Sequence, residues 1–277
     1  RLGMPHGIHA LLTIISSYYE RNRKMEITIK RDGLLLKGDL MKPEHTDQCP
    51  AVIIFHGLMS DRGNPRPNMF SDIATAVNEK GMAAIKFDFD GHGESDGRFC
   101  DMNVFTEILD AAKIVEYVHG LDWVSDIYIV GHSQGALVGG MIAGYYRDWI
   151  TKLVMLSPAA TIKDDALAGT CFGVPYDPYY IPDHISMTNV HNEHFDLGGL
   201  YFRLAKTLPI YETTAMFQGE TLIIHGSADP VVGVSGAKRY TEVMDHVTLN
   251  IIEGENHGLC EFSLETVVRD VADFLAR

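Results

Sequence analysis

Short apolar runs separated by stretches of helical period fill most of this chain. Ala51-Val52-Ile53-Ile54-Phe55, Met82 to Phe89, Asp126-Ile127-Tyr128-Ile129-Val130, Lys152-Leu153-Val154-Met155-Leu156, Glu220 to His225 and Val247 to Ile252 have the length and β-branched content of strands. The unbroken apolar character of Ala51 to Phe55 predicts a parallel sheet with both faces covered. Phe70 to Lys80, stopped by Gly81, and Met102 to Gly120, with a stripe of Ile108, Ala111, Ala112, Val115 and Val118, predict covering helices, and Glu261 to Ala276 predicts a closing one. The opening differs: Met25 to Lys30 alternates, Arg31-Asp32-Gly33 turns and Leu34 to Met41 returns, an antiparallel edge hairpin. Alternating strands and helices imply right-handed crossovers, with functional groups at the carboxyl ends of the strands.

The chain has 277 residues, 46% of them hydrophobic and 22% charged, enough to bury the core of one α/β domain with room for an insertion. That domain is expected over 25–277. Residues 1–24 carry an apolar stretch, Ile8 to Ser17, followed by Arg21-Asn22-Arg23-Lys24, the reverse of a signal peptide's order, and read as an N-terminal extension or a cloning remnant. A net charge of −14 without a basic cluster argues against a nucleic-acid partner. No apolar run has the roughly 18 to 20 residues of a membrane span. Cys49, Cys100, Cys171 and Cys260 are scattered, which fits reduced packing thiols in a cytoplasmic protein better than a disulfide framework or a zinc site.

The strand Asp126 to Val130 runs into Gly131-His132-Ser133-Gln134-Gly135, and a helical stretch from Ala136 to Ala143 follows. Strand, Gly-x-Ser-x-Gly and helix form a nucleophile elbow, which makes Ser133 the candidate nucleophile. A serine hydroxyl needs a base to take its proton, and the base needs a carboxylate to hold its tautomer. His257 follows the last strand and Asp229 the one before it, so the order Ser133, Asp229, His257 is that of an α/β-hydrolase triad. His225 is the rival base, read as a packed histidine at a strand end; Glu253 and Glu255 are rival acids, read as solvated loop carboxylates. The amides of Gln134, at the helix start, and Leu58, after His56-Gly57, are the expected oxyanion donors. His132 is expected to pack or to bond structurally. The glycine-rich Asp90 to Gly97 lacks the Gly-Lys-Ser/Thr ending of a phosphate-binding loop.

From Pro158 to about Phe217 the strand and helix rhythm breaks, and nine of the chain's 26 aromatics lie there. A loop-rich insertion of this length is usually functional. Placed after the strand next to the elbow, it is expected to roof Ser133 as a lid with aromatic walls for an aromatic ligand, or to form a small core of its own. His184, His191, His194 and Asp196 have no regular ligand spacing, and a serine mechanism needs neither metal nor cofactor.

Gly131 to Gly135, Phe87 to Gly97, Ser157-Pro158-Ala159-Ala160 and Leu208-Pro209-Ile210-Tyr211-Glu212 together resemble the bacterial cinnamoyl (feruloyl) esterases of the α/β-hydrolase superfamily, over Met25 to the C-terminus. The resemblance implies an α/β-hydrolase fold, the Ser133, Asp229 and His257 triad, an oxyanion hole of Leu58 and Gln134, and an aromatic-rich lid gripping a phenolic ring. It places Asp165 and Tyr201 at the ring hydroxyl and Phe172 where relatives can have a glutamine. It also implies a serine esterase that hydrolyses hydroxycinnamate esters through an acyl-enzyme. A general short-chain esterase, thioesterase or acyl-peptidase, and a non-turnover ligand receptor of the same fold, remain alternatives. The expected partner is a small aromatic ester, and the oligomeric state, a homodimer included, is left open.

Overall fold

The computed structural model describes residues 24–44, 46–64, 68–189 and 192–277. The extension assigned to residues 1–24 therefore lies, but for Lys24, outside the described residues. The chain opens with the expected hairpin, β1 (Lys24–Arg31) and β2 (Leu34–Met41), turned by Asp32 and Gly33, both at positive φ. Then come β3 (Cys49–Phe55), α1 (Met69–Glu79), β4 (Ala83–Phe87), α2 (Val104–His119), β5 (Val124–His132), α3 (Gln134–Tyr145) and β6 (Ile150–Leu156). Helix α2 starts two residues later than its apolar stripe suggests, because Asn103 caps it: the Asn103 side chain accepts from Phe105 and Thr106 amides while Thr106 accepts from the Asn103 amide.

The stretch 158–217 holds more regular structure than its composition announces. It contains α4 (Ile162–Ala168), the short ribbon β7 (Thr170–Cys171) with β8 (Val174–Pro175), the hairpin β9 (His184–Thr188) with β10 (His194–Gly198), then α5 (Gly199–Ala205) and α6 (Ile210–Thr214). Tyr201, Phe202 and Phe217 are fully buried in the same apolar cluster as β3 and α3, so this insertion extends the main core instead of building a separate one. Helix α3 is buried almost all round, and its glycines permit that: a Cβ at Gly144 would run into the Thr213 carbonyl of α6.

The chain closes with β11 (Glu220–Gly226), α7 (Val234–Val243), β12 (Val247–Ile252) and α8 (Leu264–Leu275). Patterning does not announce α7, which buries only Gly236, Ala237 and Tyr240 and so lacks a long apolar stripe. Eight strands form one sheet in the order β1-β2-β4-β3-β5-β6-β11-β12; the first three pair antiparallel and the rest parallel. Strands β3 and β4 are buried along almost their whole length, because apolar clusters cover both faces of the sheet. This is the α/β-hydrolase fold expected from the sequence. Cys49 and Cys171 are buried packing residues, whereas Cys100 is half-buried and Cys260 exposed. No described helix is long and apolar enough to cross a membrane.

Candidate active site

The elbow is built by two glycines. A Cβ at Gly131 would strike the Gly135 carbonyl, and one at Gly135 would strike the carbonyls of Phe55 and His56, so α3 can start hard against the end of β3 only with hydrogen at both places. Between them Ser133 is held at φ 54° and ψ −120°. That costly conformation persists because its backbone is tied on both sides: its N–H donates to Leu156 O (2.8 Å) and its carbonyl accepts from Ala159 N (3.0 Å).

The structure brings Ser133, His257 and Asp229 into one row. Ser133 Oγ lies 2.9 Å from His257 Nε2, and His257 Nδ1 lies 2.7 Å from Asp229 Oδ2. With the proton on Nδ1 the imidazole donates to Asp229 and presents a lone pair to the serine hydroxyl. Asp229 is saturated: Oδ1 accepts from the amides of Val231 (2.8 Å) and Val232 (2.9 Å). His225 Nε2 is 3.1 Å from Oδ2 and 3.2 Å from Val232 O. Burial works to raise the Asp229 carboxyl, but hydrogen bonds from His225 and His257, the His257 charge and the Val232 amide outweigh it and hold the group well below the usual carboxylate range. His225 thus stands behind Asp229, fully buried, and not beside the serine.

Glu253 is exposed as expected, but Glu255 is fully buried, which corrects the reading of it as a solvated carboxylate. Its carboxylate accepts from the amides of Asn256, Glu261, Phe262 and Ser263 and from Ser263 Oγ. This cage closes the loop that carries His257, and it occupies the amides of residues 261–263, so α8 begins at Leu264 instead of Glu261. His132 serves the same loop from the elbow: its Nε2–H donates to the His257 carbonyl at 2.9 Å. Burial, with the neighbouring His257 charge, lowers His132 to about 3, so the ring stays neutral.

The Gly57–Leu58 peptide passes directly beside the serine, since a Cβ on Gly57 would come within 3.1 Å of Ser133 Cβ. His56 aims this peptide. The Phe89 amide donates to His56 Nε2 (3.0 Å), which leaves the ring proton on Nδ1 to donate to Gly57 O (2.8 Å). In a trans peptide the carbonyl and the next N–H point in opposite directions, so holding Gly57 O directs the Leu58 N–H the other way. Burial lowers His56 to about 4 and keeps it neutral. Replacing His56 by Ala is expected to lower kcat by about tenfold or more with KM little changed, read by steady-state kinetics.

The Gln134 side chain is fully buried: its Nε2 donates to Glu107 Oε2 (2.7 Å) and its Oε1 accepts from the Tyr201 hydroxyl (2.5 Å). Tyr201 is 1% exposed, and its hydroxyl is engaged with Gln134. Asp165 is half-buried at the end of a hydrogen bond from Thr161 Oγ1 (2.7 Å), and Phe172 is half-buried at φ 48° against the core. Burial pushes the Glu107 carboxyl well above its ordinary range; the Gln134 hydrogen bond opposes this and the nearby Asp90 and Asp110 add to it. The folded state then holds a proton that the unfolded chain releases, so stability falls as pH rises above the ordinary glutamate range. The urea midpoint of wild type should therefore drop relative to that of Glu107→Gln between about pH 5 and about pH 8.

His225 is the packed, backbone-bonded histidine its place at a strand end predicts, with Asp229 as an added partner. No local motif signals the roles of His56, Glu107 or the Glu255 cage, because they are set by partners distant in sequence. The glycine-rich loop folds around Asp88, whose carboxylate accepts from the amides of Arg62 (2.7 Å) and Glu94 (2.9 Å) and pairs with the buried Arg62 guanidinium. Among the described residues no group of three or more His, Cys, Asp or Glu side chains is placed to hold a metal ion. His191, one of the residues weighed for such a site, lies outside them.

Fold and site together define an α/β-hydrolase domain with a serine nucleophile elbow. The family model described as serine aminopeptidase, S33, matches residues 46–175. Est1E from Butyrivibrio proteoclasticus, solved with ferulic acid bound, is 32% identical, with 90% of this chain and 97% of that one covered and a TM-score of 0.83. Est1E solved in a second structure superposes with a TM-score of 0.80 at 29% identity over the same shares of both chains. Esterase EstD from Thermotoga maritima is 27% identical over 140 residues, which is 48% of this chain and 32% of EstD. The chain matches about a third of the length of the curated relatives it resembles. It belongs to the α/β-hydrolase esterase family that includes Est1E.

Proposed function

We propose that this protein is a carboxylic ester hydrolase whose substrates are small hydroxycinnamate esters. The observation that carries the reading is the row Asp229, His257, Ser133, joined at 2.7 and 2.9 Å beside the Gly57–Leu58 peptide. Ser133 Oγ attacks the ester carbonyl carbon while His257 Nε2 takes its proton. The oxyanion is received by the Leu58 and Gln134 amides. Collapse breaks the C–O bond to the alcohol, which leaves with the proton from His257. Water then gives a proton to His257, attacks the acyl-enzyme and releases the acid, and the proton returns to Ser133. The segment 158–217 acts as the lid, with Asp165 and Phe172 as candidate contacts for the phenolic ring.

The hydroxycinnamate assignment draws on the similarity to Est1E, which has been solved with ferulic acid, over nine-tenths of this chain. The match to a serine aminopeptidase model keeps acyl-peptides as the second reading. A panel of methyl ferulate, methyl caffeate, methyl p-coumarate, p-nitrophenyl butyrate, an acyl-CoA and an acyl-peptide decides between them. The expected outcome is the highest kcat/KM on a hydroxycinnamate. A preference for the butyrate, the thioester or the peptide overturns it, and tight ligand binding without turnover points to a receptor of this fold.

A further inference from the structure

Glu107, Gln134 and Tyr201 form a buried hydrogen-bonded row that the hydrolytic steps do not use. Glu107 comes from α2, Gln134 is the first residue of α3, and Tyr201 comes from α5 in the inserted segment. Tyr201 donates to Gln134 Oε1 and Gln134 Nε2 donates to Glu107, so both ends of one amide are held by two separate elements. A carboxyl buried against an amide is costly to keep, and an apolar side chain of similar size would pack there more cheaply if filling space were its only task.

What the row holds is the residue after the nucleophile. Ser133 sits at positive φ, and the Ser133–Gln134 peptide carries one of the two amides assigned to the oxyanion. A glutamine side chain held at both Oε1 and Nε2 tethers its own Cα, which resists rotation of the Ser133–Gln134 peptide attached to it. We propose that Glu107 and Tyr201 are positioning residues that lock Gln134, so that its amide faces the oxyanion when the inserted segment is seated on the elbow. This rests on the hydrolase reading above.

The test compares Tyr201→Phe, Glu107→Leu and Glu107→Gln in the full chain. Three readouts are taken: kcat and KM on methyl ferulate and p-nitrophenyl butyrate, the rate at which a fluorophosphonate probe labels Ser133, and Tm. Tyr201→Phe and Glu107→Leu are each expected to lower kcat about tenfold or more on both esters, to leave KM within about twofold, and to slow labelling by a similar factor. Glu107→Gln keeps an oxygen for Gln134 Nε2 and should recover most of what Glu107→Leu loses. If Glu107→Leu does not fold, Tyr201→Phe, which removes one oxygen, decides the matter.

Three outcomes overturn the proposal. A rise in KM for methyl ferulate alone, with kcat unchanged, makes Tyr201 a ring contact. A lowered Tm with unchanged kcat makes the row a structural brace. Unchanged labelling rates in all three variants dissociate it from the oxyanion amides. If wild-type Ser133 is labelled but no ester is hydrolysed, the proposed function fails, and the labelling rates of the variants still decide this inference.

Discussion

Ser133→Ala is expected to lower turnover of the best ester by about five to six orders of magnitude while the protein folds normally. The substitution removes the atom that attacks, and neither His257 nor the oxyanion amides can replace it; what is left is catalysis by binding and electrostatics alone. The same position makes a stability prediction of opposite sign. Ser133 is held at φ 54°, which alanine inherits and glycine does not mind. Ser133→Gly is therefore expected to be about 1 kcal/mol more stable than Ser133→Ala in urea titrations, and equally inactive. Retained turnover in either variant removes Ser133 from the mechanism.

Asp229→Asn is expected to lower kcat by about 10⁴-fold with the fold intact. Oδ1 of residue 229 receives two backbone amides, from Val231 and Val232, so an asparagine keeps its oxygen there and turns its NH₂ toward His257 and His225. To avoid two facing donors, His257 must carry its proton on Nε2. That nitrogen then faces Ser133 Oγ as a donor and cannot accept the serine proton. Kinetics together with a Tm measurement separate this from unfolding: a Tm within a few degrees of wild type with the full loss of kcat is the expected result, and kcat within about tenfold of wild type refutes the role given to Asp229.

Much of the site was legible along the chain because its signals are local. Gly131 and Gly135 mark a turn that tolerates no side chain, and the strand before Ser133 and helix after it are read from a few consecutive residues. Asp229 and His257 stand out by their places after strands. Where sequence and structure differ, the cause is contact between distant residues or elements too short to show a period. Glu255 stands in a loop, where a carboxylate is expected to be solvated, yet it is buried in a cage of four amides, from Asn256 and residues 261–263. Helix α7 escaped because it buries one narrow edge. The segment 158–217 looks loop-rich in sequence because its ribbons and helices are too short to show a period.

The sequence by itself determined the main strands and the helices with long apolar stripes, the parallel sheet, the elbow and the chain order of its candidate partners, since periodicity and turn chemistry are properties of neighbouring residues. Only the tertiary structure decided which polar side chains are buried and what they hold. His56 reaches Phe89, Gln134 reaches Tyr201 across 67 positions, and His132 reaches the His257 carbonyl across 125. No short window contains both ends of such a bond. The direction of an amide beside Ser133 is therefore set by side chains that become neighbours only once the sheet, its helices and the inserted segment have packed.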